Sequence, residues 1–240
     1  MSAELVKLQT APDLVDQVYR ALLDAIADGS LAPGSRITQE DLAERLAVSR
    51  QPVLQALRLL KKDGLVLDAP GRGLLVAPLD AGRIGHLYQV RGALDTLAAR
   101  LAAERHARLD PRLVEHGRRA ARGRNLKAMV EADIAFHKAI YAASGNPLIE
   151  RSAELHWLHL RRVMGAVLQS SRQRVAIWDE HAAIAEAIAA GDAERATRLV
   201  EDHGRQASEH LLERLADVLK PPVKGNTDET HRSPARTVRP

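Results

Sequence analysis

Apolar residues recur at helical spacing through the first sixty positions of the chain. Leu14, Val18, Leu22 and Ile26, with Ala21 and Ala25, fall on one face and predict an amphipathic helix that stops near Gly29. The segment SLAPGSRI is a Pro-Gly turn leading to Thr38. Thr38 followed by Asp41 resembles a capping box, and Leu42, Ala43 and Leu46 give the short helix after it one apolar side. Ala47-Val48-Ser49 breaks the pattern. Ser49 then caps a third helix, which tolerates Pro52 in its first turn and carries the stripe Val53, Ala56, Leu57 and Leu60. Two short helices joined by a tight turn, the second exposing polar residues on its first turn, read as a helix-turn-helix, although a plain packed helical hairpin has the same pattern.

After Asp63-Gly64 the pattern changes. Leu65-Val66-Leu67 and Leu74-Leu75-Val76 are short apolar runs separated by a Gly- and Pro-rich stretch, which predicts a β-hairpin and makes the whole a winged helix-turn-helix. Beyond Pro78 only helical patterns remain, at roughly 82–106, 111–121, 125–143, 147–171, 173–190 and 193–218, with breaks at Asp110-Pro111, Gly123, Gly145-Asn146-Pro147 and Gly191-Asp192. Six helices in succession predict an antiparallel bundle, large enough to enclose a small-molecule cavity. The expected fold is therefore mainly α: a winged helix-turn-helix over residues 1–78, its first twelve residues a flexible arm, and an all-α helical bundle over 79–219. Residues 220–240 are rich in Pro, Thr and Arg without periodicity, and are expected to be a disordered tail.

Composition narrows the function classes. The chain has no cysteine, which excludes disulfides and thiolate metal sites. It shows neither an apolar run of membrane-spanning length nor a signal pattern, so no membrane partner and a cytoplasmic location are expected. Net charge is +4, yet residues 1–78 hold nine Lys/Arg against ten Asp/Glu. Any affinity for DNA must then come from local placement of Arg50, Arg58, Lys61, Lys62 and Arg72 rather than from bulk charge.

The bundle carries its own candidate chemistry. Asp133 and His137 are four residues apart and share a helix face with apolar Ile140. His181 stands beside apolar helix positions, and His203 lies on the final helix. Three histidines and a carboxylate projecting inward from three helices suit a divalent cation such as Zn²⁺, Ni²⁺ or Mn²⁺, with positions left open for water or a ligand carboxylate. The alternative from spacing alone is a set of hydrogen-bonded core histidines. His156 and His159, beside Trp157, are read as structural. One of Arg161 and Arg162 is expected to face the cavity, although as solvated charges neither needs a role.

The run from Ala25 to Pro78 resembles the N-terminal domain of GntR-type bacterial transcription regulators. The likeness rests on the Gly-x-Leu-x-Pro-Gly turn, the Leu-Ala of the first motif helix, Val-Ser-Arg at the turn, and Gly-Leu-Val before a Gly-rich wing tip. It implies that Arg50 reads base edges in the major groove of an operator, that Ser49 and Gln51 reach phosphate or base edges, and that Arg36 and Thr38 contact phosphates. Gly71 and Gly73, flanking Arg72, match a wing tip that enters the minor groove. One departure stands out. Where the family usually has Pro-Val-Arg-Glu-Ala-Leu, this chain has Pro52-Val53-Leu54-Gln55-Ala56-Leu57, which implies an operator unlike the commonest family site.

Asp-x-x-Phe-His followed by Ser-Gly-Asn-Pro, then Glu-His and Gly-Asp before a final His, is similar to the FCD ligand-binding domain of the FadR subfamily. That resemblance implies metal ligation by Asp133, His137, His181 and His203. It also places Arg91 where a guanidinium holds an effector carboxylate, with Asp95 in place of the usual Glu, and sets Asn146 near the pocket, although by its own sequence Asn146 is a turn residue. The expected protein is a homodimeric regulator, a repressor, that binds double-stranded DNA, a divalent metal and a small carboxylate. Two alternatives remain at this point: a metal-dependent hydrolase with an accessory winged helix, and a DNA-binding protein whose helical domain only dimerises.

Overall fold

The computed structural model describes residues 14–123, 125–167 and 176–220. The expected N-terminal arm, the tail beyond Lys220, the end of the helix drawn to 171 and the start of the one drawn from 173 lie outside them. The first helix is α1 (Leu14–Ala27), followed by a two-residue strand β1 (Arg36–Ile37), α2 (Gln39–Arg45) and α3 (Arg50–Lys62). Strands β2 (Val66–Asp68) and β3 (Leu74–Val76) complete the wing. The helices α4 (Ala81–Glu104), α5 (Arg112–Arg122), α6 (Leu126–Ala143), α7 (Pro147–Val167), α8 (Ile177–Ala190) and α9 (Ala193–Leu219) follow.

The wing is a three-stranded antiparallel sheet in the order β1-β3-β2, with Arg36 opposite Leu75 and Val66 opposite Val76. Strand β1 is absent from the sequence reading, because two residues inside a Pro-Gly turn show no alternation. The turn between β2 and β3 passes through Gly71 at φ 87° and Gly73 at φ 95°, the left-handed region that only glycine enters without strain. In the helix-turn-helix, Thr38 caps α2 by accepting from the Asp41 amide. Ser49 occupies the N-cap of α3, but its hydroxyl makes no capping bond.

Two apolar clusters form. One gathers Val18, Leu22 and Ile26 of α1, Leu42 of α2, Val53, Leu57 and Leu60 of α3, and Val66 and Val76 of the wing. The other gathers the bundle around Phe136, Ile140, Trp157, Leu160, Trp178 and Ile184. Helix α4 presents Ala98, Ala99, Ala102 and Ala103, all buried, and their small side chains let α9 lie close along it. A Cβ on Gly117 would stand 2.0 Å from the Trp178 ring, so α5 meets α8 only because that position has no side chain.

Helix α7 joins the two parts. Leu158 packs against the first cluster, Arg161 pairs with Asp24 of α1 at 3.1 Å, and His159 Nε2 lies 2.9 Å from the Asp63 carbonyl that closes α3. The winged helix and the bundle thus meet along one helix and the linker around Pro78.

Candidate functional site

The helix-turn-helix shows its candidate residues on an open surface. Ser49, Arg50 and Gln51, at the start of α3, are exposed, as are Arg72 and Gly73 at the wing tip. Arg50 is ion-paired with Glu40 at 3.3 Å, and its carbonyl accepts from the Gln39 side chain. Glu40 therefore holds the Arg50 guanidinium beside α2 while no nucleic acid competes for it. Arg36 donates to the carbonyls of Arg72 and Pro70, both at 3.0 Å, and so ties β1 to the wing turn. Thr38 spends its hydroxyl on the α2 cap. Leu54 and Gln55, the two departures from the family pattern, are half-buried beside these groups.

Inside the bundle, Asp133 and His137 from α6, His181 from α8 and His203 from α9 converge, each offering one ligand atom within 4.8 Å of the others. The three histidines are buried and Asp133 is 16% exposed. Helical spacing aligns the first pair, and the short turn at Gly191-Asp192 folds α9 back on α8 so that His181 and His203 face each other, Nε2 to Nε2, at 3.3 Å. Asp133 Oδ1 lies 3.5 Å from His181 Nε2.

Protonation favours ligation. Burial first, and then the Arg91 guanidinium, hold the His137 imidazole well below the usual range, and burial with His203 does the same to His181. Both rings are therefore neutral at neutral pH and each keeps one nitrogen lone pair. Burial pushes the Asp133 carboxyl upward against the pull of Arg91. His203 Nδ1 donates to Glu180 Oε2 at 2.8 Å, which selects the tautomer whose Nε2 lone pair points into the cluster.

The donor set fits a first-row divalent ion. Atoms bound at about 2.0–2.2 Å from one ion stand about 4.4 Å apart at most when they lie on opposite sides of it and about 3.3–3.6 Å apart at tetrahedral angles, so the observed spread contracts by about 0.4 Å for an octahedral site and by about 1 Å for a tetrahedral one. Without an ion, two facing imidazole nitrogens have one proton at most to share, and His181 Nδ1 is buried with no hydrogen-bond partner among the described residues.

Arg91 lies against this cluster, its Nη2 3.0 Å from His137 Nε2. It is 3% exposed, ion-paired with Asp95 at 3.0 Å, and its guanidinium carbon sits 3.8 Å from the Trp157 ring centroid. Asp95 also accepts from Tyr141. Burial works against charge on Arg91, and Asp95, Tyr141, Tyr88 and Asp133 together outweigh it. The expected cavity-facing guanidinium is thus already committed to a carboxylate of its own helix.

Asn146 is spent on the turn into α7, where its side-chain oxygen accepts from the Leu148 amide. Neither Arg161 nor Arg162 joins the cluster. Arg161 binds Asp24 and Glu131, and Arg162 turns towards the junction with the winged helix. The expectation that one of them faces the histidine cavity is corrected by this placement: both stand on the α7 side that meets the winged helix. His156 and His159 lie outside the cluster.

Sequence reasoning missed Glu180 and the Arg91-Asp95 pairing. The second had a signal, since the two are four residues apart on one helix. Glu180 had none beyond its place next to His181, because its partner is 23 residues away on another helix.

A winged helix-turn-helix joined to an all-helical bundle is the architecture of a DNA-binding transcription regulator. The sequence pattern of bacterial regulatory proteins of the gntR family matches residues 14–76, and that of the FCD domain matches residues 86–206. The chain belongs to the GntR family, with a C-terminal FCD domain. It is 28% identical over 204 residues to the uncharacterised HTH-type transcriptional regulator YdhC of Bacillus subtilis (strain 168), covering 81% of this chain and 89% of that one. It is 27% identical over 203 residues to a probable D-xylose utilization operon transcriptional repressor of Paenarthrobacter nicotinovorans, covering 82% and 88%. Among solved structures, a GntR regulator from Rhodococcus sp. RHA1 superposes with a TM-score of 0.69 at 28% identity, covering 83% of this chain and 97% of that one. Escherichia coli McbR/YncC shares the fold at a TM-score of 0.72 and 22% identity, covering 86% and 100%.

Proposed function

We propose that the chain is a homodimeric repressor whose DNA binding is set by a small carboxylate effector sensed at a divalent metal centre in the bundle. The observation that carries this reading is the convergence of three histidines and one aspartate from α6, α8 and α9 on one buried point. Asp133, His137, His181 and His203 would hold Zn²⁺, Ni²⁺ or Mn²⁺, and a bound ion supplies a positive centre that attracts a carboxylate.

The protein's own residues do the rest. Glu180 keeps His203 in its ligating tautomer. Arg91 adds a permanent cation at the edge of the cluster, and an effector carboxylate competes with Asp95 for it. Because α4 carries Arg91 and begins just after the wing, a change in the Arg91-Asp95 pair biases how the winged helix sits on the bundle. Only a difference in effector affinity between two such arrangements shifts their populations.

On the DNA side, Arg50 is placed to read a base edge, with Ser49 and Gln51 beside it and Arg72 and Gly73 at the wing. Arg36 and Thr38 shape the surface as much as they contact phosphate. Two copies related by a two-fold axis suit two half-sites about one helical turn apart. Division of the chain near Pro78 into reader and sensor, and a soluble cytoplasmic setting, belong to the same reading; among the described residues no helix is long and apolar enough to cross a membrane.

Selection of bound sequences from a random duplex pool tests the DNA reading. A two-fold symmetric site differing from the commonest family operator is expected, since Leu54 replaces an arginine. Titration of small carboxylic acids against that site, with Zn²⁺-loaded and chelator-stripped protein, tests the sensor. A response confined to the loaded protein is expected; identical DNA affinity throughout contradicts the sensor reading and leaves a bundle that only dimerises.

A further inference from the structure

Where α7 meets the end of α3 and the start of α4, a cavity of 130 Å³ lies between the winged helix and the bundle. It is lined by Leu67, Pro78 and Asp80 from the wing and linker, Arg83 from α4, and His159 and Arg162 from α7. Arg162 is 5% exposed, and its Nε and Nη2 atoms, the two N–H groups along one edge of the guanidinium, are buried without a hydrogen-bond partner among the described residues. That edge is the one that takes two oxygens of a carboxylate or phosphate in parallel. A buried cation without such a partner is costly, and burial, then the nearby Arg83, push the Arg162 guanidinium down to about 10.

Arg83 adds a second cation. Its Nη2 stands 3.1 Å from His159 Nε2, which also lies 2.9 Å from the Asp63 carbonyl. One nitrogen cannot donate to that carbonyl and accept from Arg83 at once, so whichever tautomer holds, one of the two contacts is not a hydrogen bond. The carboxylate on the lining, Asp80, caps α4 through the Arg83 amide at 2.8 Å and makes no ion pair with either arginine. The buried Arg162 guanidinium and the exposed Arg83 therefore face a half-open space whose lining carboxylate, Asp80, pairs with neither.

We infer that this junction is a second ligand site, separate from the histidine cluster, which binds a small oxyanion bidentately on the Nε/Nη2 edge of Arg162 with Arg83 as the second cation. An occupant would touch the turn that ends α3, the linker and α7 together, and so would fix how the reading head is held on the bundle. The inference stands on the junction alone and does not need the metal reading.

The test uses the full chain and two probes, inorganic phosphate and acetate, each titrated at constant ionic strength against a sodium chloride control. Binding is followed by the shift in melting temperature and by calorimetry, for the wild type, Arg162→Met, Arg83→Gln and Asp133→Ala. Saturable binding of phosphate or acetate by wild type and Asp133→Ala, weakened roughly ten- to hundredfold by Arg162→Met or Arg83→Gln, is expected. Which of the two probes binds separates a phosphate from a carboxylate site. Methionine fills the space of the arginine stem without a charge to bury, and Arg83→Gln at an exposed position gives an independent reading should Arg162→Met not fold. No saturable binding beyond chloride overturns the inference, leaving water as the occupant. Binding that survives both arginine substitutions but is lost in Asp133→Ala overturns it too, because the anion then sits at the histidine cluster.

Discussion

Glu180 would set the tautomer in which His203 acts as the proposed ligand. Its carboxylate accepts a hydrogen bond from Nδ1–H at 2.8 Å and is 38% exposed, so it orients the ring from the solvent side while the ring itself is buried. Removing it leaves the ring free to turn or to place its proton on Nε2. In Glu180→Ala, metal affinity should fall about ten- to hundredfold with little change in the metal-free fold, measured by competition against a chromophoric chelator. Unchanged affinity would mean that His203 is held by packing alone. At this scale the sequence was half-legible. Asp133 and His137 declare themselves through a four-residue spacing on an otherwise apolar stripe. Glu180 and Arg162 do not, because what distinguishes them is a partner, or the lack of one, supplied by a different helix.

Helices α2 and α3 are linked by an exposed ion pair on the side chain proposed to read DNA. Arg50 and Glu40 are 68% and 58% exposed, so their pair at 3.3 Å contributes at most about 1 kcal/mol and is screened by salt. Glu40→Gln should therefore raise DNA affinity by up to about fivefold at low salt and by less at high salt. Arg50→Ala should cost about 1–3 kcal/mol of binding and relax the choice of base at one position of each half-site. Fluorescence anisotropy on the selected duplex and on single-base variants checks both, and equal losses on every duplex would make Arg50 a phosphate contact instead. The elements themselves were readable. Apolar spacing, the Thr38 cap and the glycines of the wing located α1, α2, α3 and the hairpin, and the bundle helices fell within a few residues of those predicted ends that lie among the described residues. Strand β1 escaped because it is held by pairing to β3 and not by any pattern of its own, and the clamp of Arg36 on the wing turn escaped with it.

The molecule as a whole depends on the junction made by α7, and that junction carries a pH dependence. Burial, with Arg83 adding to it, pushes His159 from its ordinary value near 6.5 down to about 4. The unfolded chain therefore binds the proton first as pH falls. The stability His159 contributes is complete above pH 6.5 and is lost progressively as pH drops towards 4. His137 and His181 shift the same way in metal-free protein, so the comparison is between wild type and His159→Gln, both stripped of metal. Urea midpoints from pH 7 to 4.5 should fall more steeply for the wild type; parallel curves would show that His159 takes up its proton without strain. None of this was legible in the sequence, where His159 is one histidine in a helix rich in them and Asp63 is 96 residues away.

The most direct measurement is the melting temperature of chelator-stripped protein as Zn²⁺, Ni²⁺ and Mn²⁺ are added singly, in the wild type and in Asp133→Ala. An ion at 100 times its dissociation constant adds roughly 2.7 kcal/mol to the native state. The account predicts a clear upward shift with at least one of the three, abolished or strongly reduced by Asp133→Ala. No shift with any ion, or the same shift in both proteins, would contradict it and reduce the four residues to a buried polar cluster.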